Sequence, residues 1–319
     1  MSFHYIKNSI STLKKYPWKA IYGRAKEIIK QHFSSSKKIN AICVEEKRIS
    51  SYNISIAAIV KNEAFYIQEW LEYHILLGVE HFFIYDNESE DDLHKKLSSY
   101  IEKGIVSYIY CPGSVMQIPV YNDAIARFKE RSHWMAFIDI DEFIVLTPQY
   151  SKNLPAFLQS FEQYDMLGIN WCVFDCNNHE SRPTSGYVIS NYTRCHADDN
   201  DPANKHIKCI VKPQSVKICT SPHYMYLKPG KLAVDENFKK LIAPFTPHVS
   251  INKIRINHYF TKSKEEYIFK LSRGRTSSPQ KRTFNQYAYD FSYNAVREGE
   301  IDLSSFVNKL KMTIPETYR

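Results

Sequence analysis

No run of about eighteen apolar residues occurs in the 319-residue chain, so no segment reads as a membrane-spanning helix. The N-terminal region also lacks the apolar stretch of a signal peptide. There is no Cys-x-x-Cys pair. The seven cysteines (Cys43, Cys111, Cys172, Cys176, Cys195, Cys209 and Cys219) stand singly, and an odd, scattered set argues against both a disulfide framework and a zinc site. Zinc-finger spacing, a ribonucleoprotein motif and an Arg-rich base-reading helix are all missing, which argues against nucleic acid as a partner. Internal repeats and low-complexity tracts are missing too. These absences favour a cytoplasmic protein.

The content is that of a globular chain, with 44% hydrophobic and 24% charged residues and room for a sizeable core. Aromatics reach 14%, including 23 Tyr; flat rings with a hydroxyl suit sugar binding, and compositional drift accounts for them equally well. A net charge of +8 points to phosphorylated or anionic partners without choosing among them. Part of that charge is local: residues 1–40 hold nine Lys/Arg against one acid, Glu27. Trp18, Ile21, Tyr22, Ala25, Ile28, Ile29 and Phe33 recur there at helical spacing behind Pro17. A basic amphipathic helix of this kind reads either as an anchor on an anionic membrane surface or as a helix packed on the rest of the protein. The polar, Ser- and Lys-rich residues after it read as a linker, giving an N-terminal segment 1–50 and a main domain 51–319.

From residue 53 strands and helices alternate. Strands are expected at Asn53–Val60, Val79–Tyr85, Ile105–Tyr110 and Trp134–Ile138, with helices at Glu63–Leu77, Asp91–Ile101 and Pro119–Arg131. That alternation implies βαβ units, an α/β fold with a mainly parallel sheet, and ligands at the carboxyl ends of its strands. Beyond 150 the order weakens: a helix at Asn153–Tyr164, a strand at Met166–Phe174, then short strands and long loops to about residue 260. A capping box, Ser263-Lys264-Glu265-Glu266, opens a later helix that stops at Gly274. The two halves divide near 145, as a donor half (51–145) and an acceptor half (146–319).

Chemistry concentrates at Trp134-Met135-Ala136-Phe137-Ile138-Asp139-Ile140-Asp141-Glu142-Phe143. An apolar strand delivers two carboxylates to its exit. Hard oxygen ligands suit Mg2+ or Mn2+ bridging a diphosphate, whose leaving charge the ion neutralises. A capped turn with solvated acids is the plain alternative. A dehalogenase-type phosphatase would place such a pair after its first strand and follow it with a small residue and Thr, whereas Glu142 and Phe143 follow here. A nucleotidyltransferase would need a Gly-rich, Arg-containing loop where this chain reads Val60-Lys61-Asn62-Glu63-Ala64. Asp86, ending the second strand, is a candidate for base or ribose recognition, or else starts the next helix. Lys61 is either a phosphate contact or a surface lysine. His258, in Ile256-Asn257-His258-Tyr259-Phe260-Thr261-Lys262-Ser263, is a candidate third metal ligand or a core histidine, and Lys262 a phosphate contact.

The chain resembles glycosyltransferase family 92 and the related family-2-like enzymes over about residues 54–300. The resemblance rests on Val60-Lys61-Asn62-Glu63, Glu69-Trp70-Leu71-Glu72-Tyr73-His74, Leu77-Gly78-Val79, Tyr85-Asp86-Asn87, Gln117 with Tyr121-Asn122-Asp123, and Asp139 to Phe143. It continues through Lys208 to Pro213, Asn257 to Ser263, Lys270 and Arg273-Gly274-Arg275. It implies a GT-A fold, a UDP-sugar donor with galactose foremost, Mn2+ and inversion. It also implies a metal role for Asp139 and Asp141 and a metal or phosphate role for His258, with Lys61, Asn62, Glu63, Asp86, Gln117 and Lys262 around the donor. A departure from the family pattern, Phe174-Asp175-Cys176-Asn177-Asn178-His179, falls where the acceptor is expected. By position alone, Asp175 and Glu180 lead as the base that deprotonates the acceptor. The expected acceptor is a glycan or glycolipid of a bacterial surface, lipopolysaccharide or capsule, glycosylated at the cytoplasmic face of the inner membrane. A binding protein that keeps the fold without catalysis is the rival reading.

Overall fold

The computed structural model describes residues 51–151, 153–196, 201–272, 296–298 and 301–314. The basic N-terminal helix, the linker and the helix stop at Gly274 lie outside the described residues. Among those described, no helix is long and apolar enough to cross a membrane. None of the six described cysteines forms a disulfide.

The expected alternation is there, with shifted ends. Strand β1 (Tyr52–Val60) is followed by α1 (Ile67–Leu77), β2 (His81–Asp86), α2 (Leu93–Glu102), β3 (Val106–Tyr110), α3 (Gln117–Phe128) and β4 (Ser132–Phe137). After these come β5 (Glu142–Leu146), a short α4 (Leu154–Leu158), β6 (Met166–Val173), α5 (Val188–Asn191), β7 (Arg194–His196) and β8 (Ile207–Val211). β9 (Val216–Ser221) and β10 (Tyr224–Leu227) make a hairpin, and β11 (Ala233–Val234), β12 (Ile254–His258), α6 (Lys264–Ser272), β13 (Val296–Glu298) and α7 (Ser304–Thr313) follow.

The main sheet runs β3-β2-β1-β4-β8-β6-β12-β5, with β11 beside β6. β1 to β4 are mutually parallel, and β6 pairs parallel with β12; β8 and β5 run the other way. The carboxyl ends of β1, β2, β4, β6 and β12 therefore share one edge with the first residues of β5 and β8. β1 is buried along nearly its whole length because helices cover both of its faces, which is why it reads as a continuous apolar run. Its residues Ile54, Ile56, Ala58 and Val60 join the core with Trp70 and Leu71 of α1 and Leu97 of α2. On the other face Phe83 stacks on Phe128 of α3 at 3.9 Å and Phe137 meets Tyr121 at 4.9 Å. α1 ends as expected at Gly78, whose φ of 105° lets its N–H reach back to Ile75 and His74 carbonyls.

β5 was not foreseen. It is the last strand of the sheet; among the described strands it pairs with β12 alone, and α1 takes up its outward backbone groups. Trp70 Nε1 donates to the Glu142 carbonyl at 2.9 Å, Tyr73 OH to the Ile144 carbonyl at 2.9 Å, and the Ile144 N–H to His74 Nε2 at 3.3 Å. His74 can accept because burial pushes its pKa down to about 3, leaving the imidazole neutral. An edge strand closed off by a helix in this way offers no free rim. It also ties α1 to the residue directly after the paired acids.

Candidate active site

Asp139 and Asp141 sit in the tight turn between β4 and β5, closed by Glu142 N–H donating to the Asp139 carbonyl at 3.1 Å. A turn sends the two side chains different ways. Asp139 faces α3 and β8: its Oδ1 accepts from Gln117 Nε2 at 2.9 Å and Tyr121 OH at 3.3 Å, and its Oδ2 from Lys208 Nζ at 2.8 Å. Lys208 is buried and also lies 3.2 Å from Glu142, itself fully buried. Burial pushes the Glu142 carboxyl up; Lys208 pulls it down, and the neighbouring Asp139 and Asp141 charges push it up again.

Asp141 faces the other way, toward β12 and α6. Its Oδ2 lies 3.7 Å from His258 Nε2 and accepts from Lys270 Nζ. Burial alone would raise the Asp141 pKa, but Lys270, His258 and Lys262 outweigh it and hold the carboxyl well below the usual range. Burial lowers the His258 pKa against the pull of Asp141, so the ring is neutral, the form that binds metals. Its Nδ1 is buried without a hydrogen-bond partner among the described residues.

A cleft of about 570 Å³ opens beside Asp141. Of the sequence-predicted residues, Asn62, Glu63, Asp141 and Lys262 line it. Asn62 ties the β1 exit to the β2 exit, accepting from Glu90 N–H at 2.8 Å while its own N–H donates to Ser89 Oγ at 3.0 Å. Glu63 and Lys262 face each other at 3.6 Å. Asn62 and Lys262, both lining the cleft, have φ of 54° and 50°, a left-handed backbone that strains the lysine. Asp86 is buried one layer back, its carboxylate accepting from Ser89 N–H at 2.8 Å and Tyr108 OH at 2.5 Å. Gln117 is the Asp139 partner already described, and Lys61 is not among the lining residues.

Asp175 and Glu180 do not line the cleft either. Asp175, itself buried, pairs with Arg194 at 2.8 Å and accepts from Asn177 N–H at 2.7 Å; Glu180 pairs with Lys264 at 2.9 Å on the surface. Instead the cleft holds residues that the sequence pattern does not place at a donor or metal site: Tyr66, Lys96, Arg182, Glu266 and Lys270. Three cations lie over rings, Arg182 over Phe65 at 4.3 Å, Lys262 over Tyr66 at 3.7 Å and Lys270 over Phe260 at 4.3 Å. The capping box at α6 is real, with Glu266 N–H donating to Ser263 Oγ at 3.3 Å and Ser263 N–H to Glu266 Oε2 at 3.2 Å. Glu266 also accepts from Tyr66 OH and Tyr192 OH.

The fit of these donors to a divalent ion is partial. Among the described residues no group of three or more His, Cys, Asp or Glu is gathered to hold a metal. Asp141 and His258 form a pair, because Lys208 draws Asp139 aside. Asp141 lines the cleft and His258 is buried behind it, and a carboxylate backed by a neutral imidazole fits an ion that keeps some water and takes its remaining oxygens from a phosphorylated ligand.

Beside the cleft, Glu69 of α1 is buried and accepts from Val188 N–H at 2.8 Å and Ile189 N–H at 3.2 Å, pinning the start of α5. Burial lifts its pKa from 4.5 to about 7, against those two bonds and Lys262, which lower it. The folded protein thus keeps a proton that the unfolded chain releases near 4.5. This contribution to stability is full below that pH and is lost as pH rises through about 7. Urea unfolding at pH 5 and pH 8 should show wild type losing up to roughly 3 kcal/mol more than Glu69→Gln. Equal losses would place the proton on another group.

The sheet and its strand-end acids define an α/β protein with a mainly parallel central sheet. The chain belongs to glycosyltransferase family 92, whose family model matches residues 50–295. A family 92 protein of Arabidopsis thaliana is 26% identical over 200 residues, 58% of this chain and 33% of that protein. One from Ricinus communis is 34% identical over 184 residues, 56% of this chain and 32% of that protein. The chain thus spans about a third of the length of the curated relatives it matches. Solved structures that it resembles include residues 1–349 of S. aureus TarS in complex with UDP, at 17% identity and a TM-score of 0.34, covering 50% of this chain and 47% of that one. The mannosyltransferase PcManGT of Pyrobaculum calidifontis, in complex with GDP-Man and Mn2+, is 10% identical with a TM-score of 0.31, covering 46% and 44%.

Proposed function

We propose that the protein transfers a hexose, galactose foremost, from a UDP-sugar to a hydroxyl of a glycan or glycolipid, with inversion and with a divalent cation, Mn2+ or Mg2+. Family membership supports the transferase class. The observation that supports the metal and the diphosphate is the Asp141–His258 pair beside an open cleft whose Lys96, Arg182, Lys262 and Lys270 can meet a diphosphate. When bound, the ion neutralises charge growing on the departing nucleoside diphosphate. Asp141 and His258 would hold it, Lys208 and Gln117 anchor Asp139 on the other side of the turn, and Lys262 lines the cleft where it can meet a phosphate. Phe65 and Phe269, exposed at the rim of the cleft, offer apolar faces to a sugar ring. A bacterial surface glycan, lipopolysaccharide or capsule, glycosylated at the cytoplasmic face of the inner membrane remains the acceptor proposed. Its support is the basic residues 1–40, suited to an anionic membrane surface.

The test is UDP release from a panel of UDP-sugars with Mn2+, then with EDTA. Release that needs the metal and is fastest for UDP-galactose is expected. No UDP from any donor under either condition would favour a glycan-binding protein.

A further inference from the structure

Lys270 is placed where a metal-site account has no use for a cation. It lies near the end of α6, and its ammonium is held by Asp141 Oδ2, by the Phe260 carbonyl at 2.9 Å and over the Phe260 ring. Asp141 Oδ2 is the same oxygen that faces His258 Nε2 at 3.7 Å. An ion ligated by that oxygen and that nitrogen would lie within a few ångströms of the ammonium, and like charges at such range in a half-buried site repel by several times RT. On that oxygen the two cations compete.

We propose that Lys270 is a resident counter-cation of Asp141 which the divalent ion must displace, and that the displaced ammonium moves to the diphosphate of the donor. This rests on the metal reading of Asp141 and His258 given above. Three features of the site support it. Lys270 lines the cleft, so its side chain has open space to swing into. The ammonium ends a flexible four-carbon stem, so it can move without the helix. The diphosphate brings negative charge into the same cleft and gives the released ammonium a new partner. Metal alone must break the Lys270–Asp141 pair uncompensated, whereas metal with nucleotide exchanges one pair for another. Metal and donor thereby load together, and Asp141 is not left as a bare buried charge between turnovers.

The test titrates Mn2+ alone into the full chain, following the electron paramagnetic resonance signal of the free ion. Lys270→Met is expected to bind Mn2+ about tenfold or more tightly than wild type. Lys270→Arg keeps the charge and should stay near wild type. Adding UDP should tighten Mn2+ binding in wild type by a larger factor than in Lys270→Met. Thermal melting checks that each variant is folded, and Lys270→Gln serves as a second neutral variant. Equal or weaker Mn2+ binding by the neutral variants overturns the proposal, as does Lys270→Arg binding as tightly as Lys270→Met. If that happens in a protein that still releases UDP from a UDP-sugar, the transferase reading stands and only the displacement idea fails. Absence of Mn2+ binding in every variant removes the displacement idea, and absence of UDP release as well removes both.

Discussion

Asp141→Asn is expected to cut donor turnover by about 10²–10³-fold while the protein stays folded. Asn keeps the shape of the side chain and removes its charge. Lys270, Lys262 and His258 then face a neutral amide, and the ion loses the carboxylate of the Asp141–His258 pair. The deficit should appear in kcat at saturating donor and Mn2+, because the lost interaction acts on charge that develops as the diphosphate leaves. Asp139→Asn is the informative comparison. Its oxygens are taken by Lys208, Gln117 and Tyr121, so its effect should reach the metal only indirectly, with weaker loss of Mn2+ affinity. Wild-type turnover by Asp141→Asn would sink the metal reading, and equal Mn2+ affinities of the two variants would sink the division of labour between the acids.

That division could not be read from the sequence. Asp-x-Asp at the exit of an apolar strand was legible because strands and helices alternate with clear periodicity from β1 to β4, and each strand end is marked by a polar residue. The path of the chain beyond the acids was not legible. Glu142–Leu146 reads as a short apolar run, and nothing local says that it turns back to lie against β12, since its outward hydrogen bonds come from Trp70, Tyr73 and His74, about seventy residues away. Lys208 and Lys270 were visible only as letters in a family resemblance. Lys208 did carry a signal: a single charge inside the apolar run Ile207-Lys208-Cys209-Ile210-Val211 must find a buried counter-charge or leave the strand. Lys270 carried none, because the last turn of an exposed helix is an ordinary place for lysine. Asp175 and Glu180 were placed by position along the chain, and position does not show that Arg194 and Lys264 already engage them.

Lys208→Met should be the most destabilising single change at the site. The ammonium is buried and stands between Asp139 and Glu142, so removing it strips the fully buried Glu142 of the cation that faces it. Breaking a buried pair by deleting one partner costs about 3–5 kcal/mol, which in a chain of this size lowers Tm by roughly 10 °C. Glu142 can escape part of that cost by taking a proton. Its pKa, already raised by burial, rises further once Lys208 is gone. A folded-state pKa above the unfolded one means stability present at low pH and lost as pH rises, so the gap between Lys208→Met and wild type should widen from pH 5 to pH 9. Adding Glu142→Gln removes the stranded charge. The amide oxygen can still accept the Asp139 N–H that Glu142 Oε2 takes at 3.0 Å, so the double variant should regain much of the lost stability and lose the pH slope. Turnover should not return with it, since the turn that carries Asp141 still lacks the ammonium that anchors Asp139. Additive costs for the two changes would mean that Glu142 is no partner of Lys208, and recovered turnover would mean that the turn needs no such anchor.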